Sequence, residues 1–406
     1  MVRLKKLQIP SPAFGFAEID LSPPGRGEGC GAWRSLSILL MAFFFGLVPT
    51  PARALTDNEI SNIVTQEIRK ALPDTDTGVA VAVRLEGRTL FFNFGWADRA
   101  NRRPVTPDSL FNLASVSKVF DTALLSLAVR RGEVSLDDPI ARHVSELRDA
   151  GEIGTLTLGE LATFTSGFSL PQDHPPWPPE RYTWAKFVER LKTWTSDPAH
   201  RRGQQYVYSH AGFLLLHVAL ERRFNRSYAA LLEQNLLRPL GLASTMLPAH
   251  GRESMGAPRP SLRRRAVQGY SGKGRPIGKP GNVQGYYHWP GAGQMFSSIR
   301  DMAKFMEAQL GELLLDADLQ GAITLSQQPV APIRPDVMQA QAWEVHQREA
   351  TIIGKNGGLN NTSSYIGMVP SQRLGIVILV NRGELNTWDI AYPILQRLMK
   401  LQNSAP

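Results

Sequence analysis

The sequence predicts an α/β fold: one antiparallel sheet assembled from both ends of the chain, flanked by terminal helices and interrupted by an all-helical insertion. Two observations carry this. Strand-like runs rich in β-branched and aromatic residues lie at Thr77 to Leu85 and Arg88 to Trp96 near one end, and at Ser363 to Val369 and Leu374 to Val380 near the other, while the middle of the chain has helical periodicity. The first two runs are separated only by Glu86-Gly87, a hairpin connection, which makes neighbouring strands antiparallel.

The elements follow in order. Asp57 to Leu72 has helical spacing (Ile60, Ile63, Val64, Ile68, Leu72) and stops at Pro73, as a helix should before proline. The spacing predicts further helices over Val116 to Arg131, closed by Gly132, and over Thr155 to Phe164, Tyr182 to Trp194, Ala211 to Phe224 and Ser227 to Leu237. Leu170 to Tyr182 carries five prolines and reads as a loop. From Gly251 to Gly293 glycine and proline recur without apolar periodicity, which predicts an extended surface excursion. Ser298 to Leu310 is a capped amphipathic helix, and a last helix runs to about Leu401 with Pro393 as its kink or start. Residues 55–110 and 290–406 are therefore assigned to the sheet domain and 111–289 to a mainly helical domain with long loops.

The first 54 residues stand apart. Arg34 precedes an apolar run from Leu36 to Val48, followed by Pro49 to Pro51 and the small-x-small triplet Ala52-Arg53-Ala54. That order predicts a secretory signal cleaved after Ala54, hence export to the periplasm. The run is too short for a comfortable membrane span, so no stable span is expected. Cys30, the single cysteine of the 406 residues, falls inside the segment to be removed. The mature fold must then stand without disulfides, and a thiol nucleophile is excluded.

The formal charge is +9. Removal of residues 1–54 leaves a surplus of six positive charges, modest for this length. The densest cluster, Arg263-Arg264-Arg265, has no interleaved aromatics, which argues against a nucleic-acid partner. The eight histidines form no His-Glu-x-x-His pattern, and Gly-x-Ser-x-Gly is absent. Neither a zinc hydrolase nor an α/β-hydrolase is indicated, and no metal or other cofactor is expected.

Chemistry concentrates at Ser115-Val116-Ser117-Lys118. If Ser115 opens the helix, Lys118 lies almost one turn on along the same face, and its amine can reach the hydroxyl. The unpaired N–H groups of a helix start would also favour an anion forming there. Taken alone, the four residues read better as an N-cap serine with a solvated lysine. Three other segments bear on the choice. Tyr206-Val207-Tyr208-Ser209-His210 immediately precedes a helix, and its phenol is either a packed aromatic or a proton shuttle. Gly354-Lys355-Asn356-Gly357-Gly358 stands just ahead of a strand; it is either an exposed turn or a place where a substrate backbone can come close. Gln172 is a polar group in the long loop with no evident structural duty.

Together these segments resemble the serine β-lactamase and penicillin-binding-protein superfamily, and within it the class C (AmpC-type) β-lactamases. The similarity runs from Gly78-Val79-Ala80-Val81-Ala82-Val83 to Leu374-Gly375-Ile376-Val377-Ile378-Leu379, and includes Pro104 to Phe111 and Leu161 to Gly167. The resemblance implies that Ser115 is the acylated nucleophile and Lys118 its neighbouring base. It implies that Tyr208 is the tyrosine of a Tyr-x-Asn element, and Lys355 the lysine of a Lys-Thr-Gly element. Gln172 would contact a substrate amide, and the backbone N–H groups of Ser115 and Gly358 would form an oxyanion hole beside Gly357. Two positions depart from the pattern: His210 stands where the family has Asn, and Asn356 where it has Thr. The family's carboxylate-binding Arg in the last helix also has no match, because Asp389 falls near that position while Asn386 aligns.

The resemblance implies an exported, monomeric enzyme that opens β-lactam rings of a small-molecule substrate. Two alternatives stay open: a D-alanyl-D-alanine carboxypeptidase, D-aminopeptidase or small-ester hydrolase on the same fold, and a non-catalytic penicillin-binding sensor.

Overall fold

Glu86 and Gly87 both take positive φ, 49° and 79°, the backbone of a two-residue turn whose twist matches the strands it joins. The turn connects β1 (Val79–Leu85) to β2 (Arg88–Phe94), with Leu85 opposite Arg88. The computed structural model describes residues 55–170, 184–248, 260–281 and 294–403; the expected signal segment and Gln172 lie outside the described residues. Six more strands complete the sheet: β3 (Ala331–Arg334), β4 (Val337–Gln339), β5 (Glu344–Gln347), β6 (Thr351–Leu359), β7 (Thr362–Val369) and β8 (Leu374–Val380). Their order across the sheet is β2-β1-β8-β7-β6-β5-β4-β3, antiparallel throughout. Joining β1 to β8 brings the two chain ends together, as the flanking strand runs required.

β1 and β8 are covered on both faces, and so their sequences are almost unbroken apolar runs rather than alternating ones. Val79, Val81 and Val83 face α1 (Asp57–Ala71) and α6 (Thr387–Asn403), forming one core with Ile60, Val64, Ile390, Ile394 and Leu398. Ala80 and Ala82 face the other way into a larger core that includes Met302 and Phe305 of α4 (Ile299–Gln309) and most of the helical insertion. Each fully buried Val, Leu or Ile contributes about 1.5–3 kcal/mol. In α1 the expected start is secured by a capping box between Thr56 and Glu59. Pro393 falls inside α6.

The insertion carries α2 (Ser117–Arg130) and α3 (His210–Phe224), and α5 (Ala317–Ser326) packs against α2. Several expected bounds move. Thr155 to Phe164 is helical only over Leu158–Ala162, because the Thr157 hydroxyl caps a new start and Phe164 takes φ 56°. Ser227 to Leu237 divides into an α-helical turn, Tyr228–Leu232, and a wider π turn, Glu233–Leu237. Gly354 to Gly358 does not precede a strand; it lies within β6. The short strands β3 to β5 and the helix α5 had no strong sequence signal, since Pro332 and Pro335 break the alternation around strands of only 3 or 4 residues. No helix among the described residues is long and apolar enough to cross a membrane.

A buried polar cluster ties α2 to α3. Asp121 on α2 accepts a hydrogen bond of 2.8 Å from the Tyr228 hydroxyl, and its Oδ1 lies 3.0 Å from Nε2 of His217 on α3. The His217 and Tyr228 rings stack at 3.5 Å. Lys118 lies on α2 and Tyr208 two residues before the start of α3, so the cluster fixes one against the other. Tyr228→Phe removes a hydrogen bond to a buried carboxylate and is expected to cost about 1.5–3 kcal/mol, read as a lower urea midpoint with an unchanged m-value.

Candidate active site

The local chain around Ser115 is built to hold one turn still. Ser115 lies in a 3₁₀ turn, Ala114–Val116, just before α2 rather than at its first α-helical residue. Ala114 takes φ 46°, a left-handed conformation that costs a non-glycine residue about 1–2 kcal/mol. Its N–H donates to Asn112 Oδ1 at 2.7 Å. Strand β7 grips the same turn through two hydroxyls: Thr362 donates to the Asn112 carbonyl at 3.0 Å and Ser364 to the Leu113 carbonyl at 2.7 Å. Opposite Ser364 in the β6–β7 register stands Gly357. A Cβ on Gly357 would lie 2.6 Å from Ser364 Oγ, 2.7 Å from the Leu113 carbonyl and 2.8 Å from the Ser115 nitrogen. Only a glycine lets the strand pass this close.

Around that turn three of the expected residues converge on Ser115. The Ser115 and Tyr208 hydroxyl oxygens are 2.7 Å apart. Lys118 Nζ lies 3.4 Å from Ser115 Oγ and 3.2 Å from His210 Nδ1. Lys355 approaches from β6: its ammonium sits 5.4 Å from the Tyr208 ring centroid, and that of Lys118 sits 5.3 Å from it. Lys118 is 0% exposed and Lys355 is 2% exposed. Two buried cations therefore flank one phenol, an arrangement that favours negative charge developing on its oxygen. Gly358 follows Gly357 on the part of β6 beyond Gly354, where pairing with β5 ends. Asn356 is exposed on the opposite face from Lys355.

Several residues of the site carried no sequence signal. Phe164 stacks on Tyr208 at 4.7 Å and lies 5.6 Å below the Lys355 ammonium. Its carbonyl accepts from Val207 N at 2.7 Å, which sets the approach of Tyr208. Its positive φ is the only trace, and backbone strain cannot be read from a sequence. Burial pushes the neighbouring Tyr206 phenol well above its usual range, keeping it protonated. Glu344 lies opposite Gly354 and 3.7 Å from Lys355 Nζ. Burial alone would raise its carboxyl; the His346 hydrogen bond, the Lys355 ammonium and Arg334 outweigh that and hold it at about 2. Among the described residues no group of three or more His, Cys, Asp or Glu could hold a metal ion. What remains is a serine hydroxyl, a phenol and two ammonium groups, the components of acyl transfer to serine.

Comparison with known proteins gives the family and the fold. The β-lactamase family model matches residues 69–396. A β-lactamase of Escherichia coli strain K12 is 28% identical over 384 residues, covering 84% of this chain and 94% of that protein. Among solved structures, a class C β-lactamase from Rhodobacter sphaeroides superposes with a TM-score of 0.72 at 27% identity, covering 83% of this chain and 99% of the other. A structure titled β-lactamase/D-alanine carboxypeptidase from Pseudomonas syringae superposes with a TM-score of 0.73 at 26% identity, covering 83% and 99%.

Two outcomes follow from the packing and the charges. Gly357→Ala is expected to lose about 1–3 kcal/mol by overpacking. Gly358→Ala, whose Cβ meets nothing within 4 Å, is expected to gain about 0.5–1 kcal/mol by relieving strand glycine entropy; urea titrations with opposite signs check the pair. Glu344 has a folded value of about 2 against an ordinary 4.5. Its depressed value stabilises the fold above pH 4.5 by on the order of 3 kcal/mol, and that contribution disappears as pH falls from 4.5 toward 2. Glu344→Gln should flatten this acid limb, measured as melting temperature against pH.

Proposed function

The chain belongs to the β-lactamase family and is a serine hydrolase acting on cyclic amides; from that premise we propose that it opens β-lactam rings through an acyl-enzyme on Ser115. The observation that carries the reading is the 2.7 Å approach of the Tyr208 and Ser115 oxygens beside the buried Lys118. Ser115 Oγ attacks the carbonyl carbon while its proton passes to the Tyr208 oxygen, acting as a phenolate held between the Lys118 and Lys355 ammonium groups. The tetrahedral oxyanion is received by the N–H groups of Ser115 and Gly358, each such donor being worth about 3–4 kcal/mol. Collapse breaks the C–N bond, and the departing nitrogen takes a proton from Tyr208. Water then attacks the ester and regenerates the serine.

A carboxypeptidase or small-ester activity on the same site is the second reading. It is favoured by His210 and Asn356 at positions where the family resemblance expects Asn and Thr, and by the Pseudomonas syringae neighbour whose title names both activities. Export to the periplasm rests on the sequence of residues 1–54 alone. A monomeric state is supported by the surface, where the large exposed hydrophobics among the described residues are the isolated Leu314, Val330 and Leu401.

Ser115→Ala is expected to abolish covalent labelling by a penicillin, seen as loss of the mass increment on the intact protein, and Tyr208→Phe to slow labelling roughly 100- to 10,000-fold. A penicillin adduct on Ser115→Ala would sink the assignment.

A further inference from the structure

A second recess adjoins the site on the α6 face of the sheet. It is a cavity of about 280 Å³ whose walls include Arg334, Glu344, Lys355, Asn356, Asn386 and Trp388. Lys355 is shared between this cavity and the Ser115 cluster. The last helix supplies no cation here. Asp389, at the position where the resemblance expected an arginine, accepts from the Asn386 amide at 2.7 Å and lines a different cavity beside Glu67 and Lys70.

The missing charge comes from the edge of the sheet. Arg334 stands opposite Val337, Val337 opposite His346, and His346 opposite Ile352. The register slips between Val337 and Met338, so pairing alone does not set the face, but Arg334 lines the same cavity as Glu344, Gly354 and Asn356. Arg334 forms no ion pair within 4.0 Å among the described residues, although it acts on Glu344 through space. With Arg334 and Lys355 positive and Glu344 negative, the cavity keeps one unmatched positive charge. The Asn356 and Asn386 amides can add donors, and Trp388 forms a rigid wall, stacked on His346 at 4.1 Å and on Tyr392 at 5.0 Å.

We propose that Arg334, from the edge hairpin rather than from the C-terminal helix, is the specificity residue that recognises a carboxylate on the substrate, together with Lys355 and the Asn356 and Asn386 amides. The volume suits one carboxylated ring or residue and not a whole substrate, which places the carboxylate on the fragment bound along the unpaired end of β6. An arginine fork grips a carboxylate with two parallel hydrogen bonds, a geometry lysine cannot reproduce. The inference rests on Ser115 as the nucleophile.

The test compares wild type, Arg334→Gln and Arg334→Lys on nitrocefin, which carries a carboxylate, and on neutral p-nitrophenyl acetate. The ratio of kcat/KM for nitrocefin to that for the ester is expected to fall at least tenfold in Arg334→Gln, mainly through KM, and to recover in part in Arg334→Lys. A ratio that stays constant, whether both activities fall together or neither changes, overturns the inference and leaves the acyl-enzyme reading standing. Wild-type protein that turns over the ester but not nitrocefin also overturns it. Absence of any Ser115 adduct with either compound overturns the reading beneath it and the inference with it.

Discussion

The packing of Gly357 against the Ser115 turn is the contact on which the remainder of the site depends. Sheet and helical body meet there with backbone against backbone, and nothing larger than hydrogen fits between. The strain of a left-handed Ala114 is offset by the hydrogen bonds that Asn112, Thr362 and Ser364 direct at the same three residues. Because those partners come from β7 and the turn itself, Ser115 is fixed in the frame of the sheet. Lys355, two residues before Gly357, shares that frame. The tyrosine and the second lysine come from the helical body, held relative to each other by the Asp121 cluster. Catalytic geometry is therefore the alignment of two rigid pieces along one seam.

Charge explains why the seam holds two lysines. Burying an ammonium costs several kcal/mol unless it is met by polar partners. Lys355 is met by Glu344, whose own carboxyl stays ionised because of it. Lys118 is met by Ser115 Oγ, His210 Nδ1 and the faces of Tyr208 and Phe213. When Lys118 is charged it can only donate to His210, so Nδ1 accepts and the imidazole proton sits on Nε2. An asparagine at this position could accept the same bond at any pH. Histidine does so only while neutral.

The legible parts of the molecule were those in which chemistry or periodicity is local. Ser115 and Lys118 stand three residues apart at one helix start, Tyr208 and Lys355 sit in short recognisable segments, and β1 and β8 are long apolar runs. Phe164, Glu344, Arg334 and Trp388 were not legible, because each matters through partners remote in sequence. Glu344 reads as one more solvated acid until the register places it opposite Gly354. Arg334 reads as a turn residue between Ile333 and Pro335. Strands β3 to β5 are too short and too interrupted by proline to show alternation, so the edge of the sheet that completes the site was the part least visible.

That edge also differs mechanically from a helix as a place to mount an anion-binding residue. α6 is anchored along its length by Ile390, Ile394 and Leu398 in the core, and a side chain projecting from it would have a nearly fixed origin. Arg334 closes β3 at the outermost strand, followed directly by Pro335 and the turn to β4, and is itself exposed. Ordering a long arginine side chain from such a position costs up to about 2 kcal/mol of rotamer entropy, which a buried origin would have reduced. In return the guanidinium can follow a carboxylate whose position varies from one substrate to another. Asn356 contributes in the same direction, since its amide offers two donors where a threonine hydroxyl offers one. Under the proposal made for Arg334, the departures at Asn356 and Asp389 form one change: recognition of the substrate's charge moves from the last helix to the edge of the sheet, away from the Ser115 seam.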